Sequence, residues 1–398
     1  MNNNISNRLN SLSQSETLAM SQKSSELKEK GIDVINLSVG EPDFDTPLAI
    51  KTAAKNAIDN NFSKYTPVPG LSSLRNAIVK KLAQENNLSY TPEQISCSNG
   101  AKQAICNVIL TLINPGDEVI IPAPYWVSYP QMVKLAEGVP HIIETGIDQD
   151  FKITAQQLDR AITEKTKLVI LCSPSNPTGA VYSKKELGEL AQVLAKHPHV
   201  YVIADEIYEH ITYTESHESI AQFDEIHERV VIINGVSKAY AMTGWRLGFA
   251  AGPKWIISAC NKLQGQYTSG ASSISQKAAE AAYLGGLEEV HKMKTAFQRR
   301  RDLIVELAKN IPGLEVNTPE GAFYLFPKCD YYFGKKAGNK KINNASDLAM
   351  YLLEEGNVAC VAGSAFGAPN YIRMSYATSE ENIIEALSRL KQALSKLR

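Results

Sequence analysis

A lysine placed just past the end of a buried strand can be turned to covalent chemistry, and the stretch from Val230 to Phe249, VVIINGVSKAYAMTGWRLGF, sets one there. The β-branched run Val230 to Ile233 reads as a buried strand that breaks at Asn234-Gly235, leaving Ser237 and Lys238 just beyond it. Burial lowers an amine's proton affinity, which makes a lysine nucleophilic enough to form a Schiff base with an aldehyde. Arg246, just ahead of a second apolar run from Leu247 to Ala251, has the donor fork to hold a phosphate bidentately. On these residues alone, a surface lysine following a strand is the more common reading.

Other groups with chemical potential also follow short apolar runs. Asn99-Gly100-Ala101-Lys102 ends one run and opens a helical pattern (Ile105, Val108, Ile109, Leu112), where free N–H groups and the helix dipole suit an anion. Asp205 follows Tyr201 to Ala204, and a carboxylate at a buried strand end is costly unless paired. A helix N-cap is its alternative reading. Trp126 follows Pro122-Ala123-Pro124-Tyr125, and Ser173 to Gly179 (SPSNPTG) is a loop shaped by two prolines. Arg373 sits on the short alternating run Tyr371 to Tyr376, a place more common for surface arginines.

The elements that must position these groups alternate. Strands are expected at Ile95 to Ser98, Glu118 to Ile121, Leu168 to Cys172, Tyr201 to Ala204, Val230 to Ile233 and Leu247 to Ala251, with amphipathic helices between. That alternation predicts a largely parallel sheet covered on both faces, whose ligands bind outside the carboxyl ends of the strands. Ahead of it, residues 1–47 hold a polar tail, a helix from Glu16 to Lys30 stopped by Gly31, and the turn-rich Gly40-Glu41-Pro42-Asp43. A long helix from about Gly286 leads out of the sheet, its basic run Arg299-Arg300-Arg301 expected on a solvated face. Then come a strand (Ala322 to Phe326), a Gly/Lys/Asn-rich loop (Gly334 to Asn344), a helix (Asp347 to Glu355), two strands and a last helix. Thr378 and Glu381 form a capping-box signal for that last helix. The expected division is 1–47, 48–290 and 291–398.

Composition narrows the function. With 41 basic and 42 acidic residues, no field is built for nucleic acid or an anionic membrane. The six widely spaced cysteines, several inside apolar runs, read as reduced core residues. The histidines form no metal-ligand pattern, so no metal is expected. The N-terminus has no apolar signal core and no run approaches the ~20 residues that span a bilayer. Together these point to a cytoplasmic small-molecule enzyme.

SKAYAMTGWRLGF, with DEIY at Asp205, NPTG at Asn176 and SVGEPDFDTP around Gly40, resembles the class I pyridoxal-phosphate-dependent aminotransferases. The likeness runs from about Ile32 to the last helix and is strongest to bacterial aspartate aminotransferases of the Ib type. It implies the α/β fold type I of pyridoxal phosphate enzymes: a large domain with a mostly parallel seven-stranded sheet covered by helices, plus a smaller α+β domain. Carried onto this sequence, it implies pyridoxal 5'-phosphate on Lys238, its phosphate held by Gly100, Ala101, Lys102, Ser237 and Arg246. Asp205 would pair with the pyridinium nitrogen, Tyr208 and Asn176 would bond the ring's phenolic oxygen, and Trp126 would stack on the ring. Gly40 and Arg373 would meet the substrate carboxylate. Tyr65, in KYTPVPG, would reach the phosphate of a partner subunit, which implies a homodimer with shared sites.

The implied reaction moves an amino group from an L-amino acid, aspartate first, to 2-oxoglutarate through that Schiff base. Relatives of this type place a lysine or arginine just ahead of an S-x-T to meet a distal carboxylate, whereas this chain has Ser13 there, followed by Ser15 and Thr17. Hydroxyls at Ser13 and Ser15, or a lysine elsewhere, would have to substitute. An aromatic or broad-specificity aminotransferase, or a lyase using the same cofactor, therefore stays open. A ligand-sensing regulator on this fold would need a DNA-binding module, and no helix-turn-helix fits ahead of Ile32.

Overall fold

The computed structural model describes residues 4–14, 16–214 and 216–398. Among them a seven-stranded sheet is built from β1 (Ile95–Ser98), β2 (Glu118–Ala123), β3 (Val139–Glu144), β4 (Thr166–Cys172), β5 (Tyr201–Asp205), β6 (Val230–Gly235) and β7 (Gly248–Ala251). Across the sheet they lie in the order β1-β7-β6-β5-β4-β2-β3. Every neighbouring pair is parallel except the two made by β7, which runs antiparallel to β6 and β1.

Burial on both faces explains why the central strands are continuous apolar runs rather than alternating ones. Along β6, Val230 and Ile232 face a core with Leu74, Ile78, Leu82 and Leu190. Val231 and Ile233 face the opposite core, with Ile105, Val108, Ile256 and Ile257. Each fully buried side chain of this size contributes about 1.5–3 kcal/mol. The strand that sequence reasoning missed, β3, is an edge strand in which Ile143 alone is buried.

A second, antiparallel sheet joins Val361–Ala362, Ile372–Ser375 and Tyr324–Leu325. Helices Glu288–Lys309, Ala345–Gly356 and Glu380–Ser395 pack on it around Phe297, Ile304, Leu348, Leu352 and Leu387. The N-terminal segment joins this body, since Ile35–Asn36 pairs in parallel with Val358–Ala359. The helix Glu16–Glu29 precedes it and is followed by Gly31 at φ +79°.

Three expectations need correction. The last helix is capped one residue later than the capping-box signal suggests: the Ser379 side chain accepts from Asn382 N–H, while Thr378 accepts from the Asn382 side chain. The 334–344 segment contains a short antiparallel pairing of Lys336–Ala337 with Lys340–Lys341. The basic run is not one solvated face. Arg300 is buried and forks onto Asp43 (Nη1–Oδ1 2.7 Å, Nη2–Oδ2 2.9 Å), tying the Gly40 to Asp43 turn to the long helix. Arg301 lies over the Tyr213 ring and donates to Pro319 O, which leaves Arg299 as the exposed member.

Candidate active site

The carboxyl ends of β4, β5 and β6 open into a cavity of about 530 Å³ that the second sheet closes from above. Gly40, Ala101, Lys102, Trp126, Asn176, Asp205, Tyr208, Ser237, Lys238, Arg246 and Arg373 all line it. Of the residues to which the resemblance gives a cofactor or substrate contact, Gly100 and Tyr65 do not. Convergence at strand ends is the geometry that open α/β sheets offer a ligand.

Lys238 Nζ donates to Gly40 O at 2.6 Å and lies 5.7 Å from the centre of the Tyr208 ring. Burial lowers its pKa to about 8; Glu41 opposes this, and Arg373 and Arg246 reinforce it. Gly40 is itself constrained, because a Cβ there would lie 2.3 Å from the Tyr324 hydroxyl.

Asp205 is buried at the last position of β5, and no helix starts there, so the N-cap reading falls. Its Oδ2 accepts from the Tyr129 hydroxyl at 2.6 Å and its Oδ1 from Ile207 N–H at 3.3 Å. Burial raises its pKa to about 6 against the pull of the Tyr129 bond. A carboxylate held this way is short of a cation. Tyr208 bonds the Tyr324 hydroxyl at 2.7 Å, and burial holds its own hydroxyl far above the usual range. Tyr129 and Tyr324 were both missed from sequence, for their partners lie 76 and 116 residues away and no local pattern announces such pairs.

One end of the cavity is cationic. Gly100, at φ +82°, caps the helix Ala101–Leu112, and a Cβ on it would lie 2.2 Å from Arg246 Nη2. The first N–H groups of a helix have no carbonyl partner within it, so this is an anion cradle flanked by a guanidinium. Arg246 donates to Thr243 O (2.8 Å) and Asn99 O (3.3 Å). Lys102 Nζ stands 4.9 Å over the Trp126 ring, with its pKa lowered by burial and by Arg246.

Arg373 forms the roof. It is buried in Ile372–Ser375, not on the surface, with Tyr324 and Phe366 rings 4.6 and 4.8 Å from its Cζ. Nη1 donates to Asn176 Oδ1 at 2.8 Å and Nη2 to Ser38 O at 2.6 Å, while Nε has no partner. A buried guanidinium with a free donor suits a carboxylate. Tyr65 is fully exposed, away from this cavity. Ser13 N–H donates to Gln131 Oε1 at 2.9 Å, and Ser15 lies outside the described residues. From that segment it is Thr17 and Leu18 that reach the cavity wall.

The model for "Aminotransferase class I and II" matches residues 32–390. The chain belongs to that family. This aminotransferase is 50% identical over 396 residues to a bifunctional aspartate aminotransferase and glutamate/aspartate-prephenate aminotransferase of Petunia hybrida, covering 98% of this chain and 82% of the relative. A probable aspartate/prephenate aminotransferase of Rickettsia felis is 49% identical, covering 99% of this chain and 97% of that one. Among solved structures, the aspartate aminotransferase of Rhizobium meliloti superposes with a TM-score of 0.96 at 44% identity, covering 99% of both chains.

The enzymes of this family are pyridoxal-phosphate-dependent, and the residues present fit that cofactor. The Gly100 and Arg246 cradle suits its phosphate, the cation-poor carboxyl of Asp205 its ring nitrogen, and the depressed amine of Lys238 its aldehyde. No helix among the described residues is long and apolar enough to cross a membrane.

Proposed function

We propose that this aminotransferase moves the amino group of aspartate to 2-oxoglutarate through a Schiff base between pyridoxal phosphate and Lys238. The observation that carries the reading is the pairing, in one cavity, of a lysine with a pKa of about 8 and a buried arginine with an unpartnered Nε. Pyridoxal phosphate, when bound, supplies an aldehyde carbon and a ring that accepts the electron pair left at the substrate Cα. The chain does the rest. Ala101 and Lys102 N–H, Ser237 and Arg246 would hold the phosphate, with Gly100 leaving room for the Arg246 guanidinium, while Trp126 would cover the ring and Tyr208 and Asn176 would bond its phenolic oxygen. Asp205 would pair with the ring nitrogen and keep it protonated. Arg373 holds the α-carboxylate, which places the Cα proton near Lys238, and the freed Lys238 amine carries that proton away and returns it.

Specificity then turns on a distal carboxylate. Arg373 and Arg246 are engaged, and Ser13 offers no charge. With Lys238 assigned to the cofactor, Lys102 is the remaining cation among the described lining residues. Its backbone N–H can serve the phosphate while its ammonium, over the Trp126 ring, meets a second carboxylate. The same ammonium suits prephenate, the ring-bearing dicarboxylate acceptor of the Petunia relative. Aspartate should therefore exceed tyrosine, phenylalanine and alanine in kcat/KM with 2-oxoglutarate, with aromatic amino acids still accepted. Lys102→Met should cost aspartate and prephenate about 10–150-fold, the worth of a charged hydrogen bond (~1.5–3 kcal/mol), and alanine far less. If aspartate trails any of the others by more than about tenfold (~1.4 kcal/mol), the aspartate assignment is wrong. Turnover without any oxo acid acceptor would instead favour a lyase.

We also infer a homodimer. Tyr65 is fully exposed, and Leu48, Ile58 and Tyr267 are large apolar residues left more than half exposed. Sedimentation should give a dimer, and mixing Tyr65→Phe with Lys238→Ala subunits should yield hybrids whose one intact site restores activity above the parents' sum. A fully active monomer refutes the shared site.

A further inference from the structure

Outside the cavity, a buried polar network joins the helix Ser72–Asn86 to the two segments that carry Asp205 and Lys238. Lys81, on the helix Ser72–Asn86, has a fully buried side chain paired with Glu209, which is itself almost fully buried. Lys81 Nζ also donates to Asn86 Oδ1 (2.7 Å), and Asn86 Nδ2 donates to Glu209 Oε2 (2.7 Å). Glu209 Oε1 accepts from Asn234 Nδ2 at 2.8 Å, and Asn234 Oδ1 accepts from Gly235 N–H at 2.7 Å. Burial would raise the Glu209 carboxyl, yet Lys81, His210 and His217 outweigh it and hold the group ionised well below the usual range. Two groups with metal-ligand spacing, Glu85-Glu209-His210 and Glu206-Glu209-His217, share Glu209, and the Lys81 ammonium already supplies its cation.

Stability alone does not account for such a pair. Replacing a buried ion pair with apolar residues of similar volume is often neutral or stabilising, so what the pair adds is a fixed geometry. That geometry has a definite address. Glu209 lies four residues past Asp205 and next to Tyr208, while Asn234 lies four residues ahead of Lys238, at the end of β6. At Gly235 the backbone of β6 passes so close to β7 that an added Cβ would lie 2.7 Å from Gly248 Cα. The Asn234 bond to Gly235 N–H therefore holds the chain where it turns towards Ser237 and Lys238. None of Lys81, Glu209 or Asn234 lines the cavity.

We propose that Lys81, Glu209 and Asn234 are positioning residues for transamination: they fix where Lys238 stands relative to Asp205 and Tyr208. This rests on the assignment of Lys238 made above. The experiment uses the holoenzyme with three variants. Lys81→Leu/Glu209→Leu removes the network without stranding a charge, Lys81→Met/Glu209→Gln removes the charges but keeps an acceptor for Asn234, and Asn234→Ala cuts the link while leaving the ion pair whole.

The Leu/Leu and Asn234→Ala proteins should keep KM for aspartate within about threefold but lose about 10–100-fold in kcat, the cost of misplacing a reacting group by up to ~1 Å. The pH titration of the visible absorbance of lysine-bound cofactor should shift in both. The Met/Gln protein should recover most of kcat and the wild-type titration. If Asn234→Ala matches wild type in kcat and in the titration, the proposal is overturned, whatever the double variants do. A wild-type enzyme with no lysine-bound absorbance would sink the Lys238 assignment as well, so the two failures are told apart.

Discussion

Lys238→Ala protein will still take up pyridoxal phosphate without a covalent bond and will lose at least about 10³-fold in kcat. Nucleophile and proton carrier vanish together, and proton transfer by a positioned group alone contributes about 10²–10⁴-fold. The binding contacts survive because the cradle at Gly100 and Arg246 and the carboxyl of Asp205 do not depend on Lys238. Lys102 is the competing amine, since it lines the same cavity and its pKa is also lowered. Borohydride reduction of the wild-type holoenzyme followed by peptide mapping separates the two, and an adduct on Lys102 would overturn the assignment.

The pH dependence gives an independent check. Only the neutral amine attacks an aldehyde, and Lys238 is half neutral at a pKa of about 8. Mixing apoprotein with pyridoxal phosphate should show a rate of attachment that rises through pH 8 and levels off above about pH 9, whereas a lysine at the ordinary ~10.4 would still be gaining there. A rate that keeps climbing to about pH 10 would mean that burial does not depress this amine.

How much of this site the sequence announced depends on how locally each residue's work is defined. Asp205 ends, and Lys238 and Asn176 follow, strands whose apolar runs are continuous because both faces are covered, so strand end and functional residue are marked together. Gly100 sits at a similarly marked place, between a strand and a helix, with a φ of +82° that glycine adopts freely. Tyr129 carries no such mark. Tyr125, Trp126 and Tyr129 fall within five residues, and only the folded chain shows which ring meets Asp205. The same holds for lysines and arginines in runs. Lys80 is exposed and Lys81 buried, and Arg300 but not Arg299 faces Asp43, because one helical step of 100° separates solvent from core. The edge strand Val139–Glu144 lacks the continuous run because only one of its residues is fully covered.

Asp205→Asn is expected to give an apoprotein more stable than wild type at pH 7 to 8 and an enzyme that barely turns over. Burial raises the folded pKa of Asp205 from 3.8 to about 6, so the folded chain holds this proton over a range where the unfolded chain releases it. The group's contribution to stability is therefore full below about pH 4 and is lost as pH rises through about 6, on the order of 1–3 kcal/mol in all. Asparagine avoids that loss and can still accept the Tyr129 bond, so the variant's advantage should appear in thermal melts above about pH 6 and vanish near pH 4. What asparagine cannot do is hold a cationic ring nitrogen. Without a paired carboxylate the ring accepts electrons from Cα poorly, and kcat should fall by at least about 10²-fold, in line with loss of an electrostatic partner in a water-poor site. Addition of pyridoxal phosphate should accordingly raise the melting temperature of wild type more than that of the variant. Normal turnover per folded molecule would remove Asp205 from the mechanism, and an apo variant less stable than wild type at pH 7 would show that its ionisation is not what the fold resists.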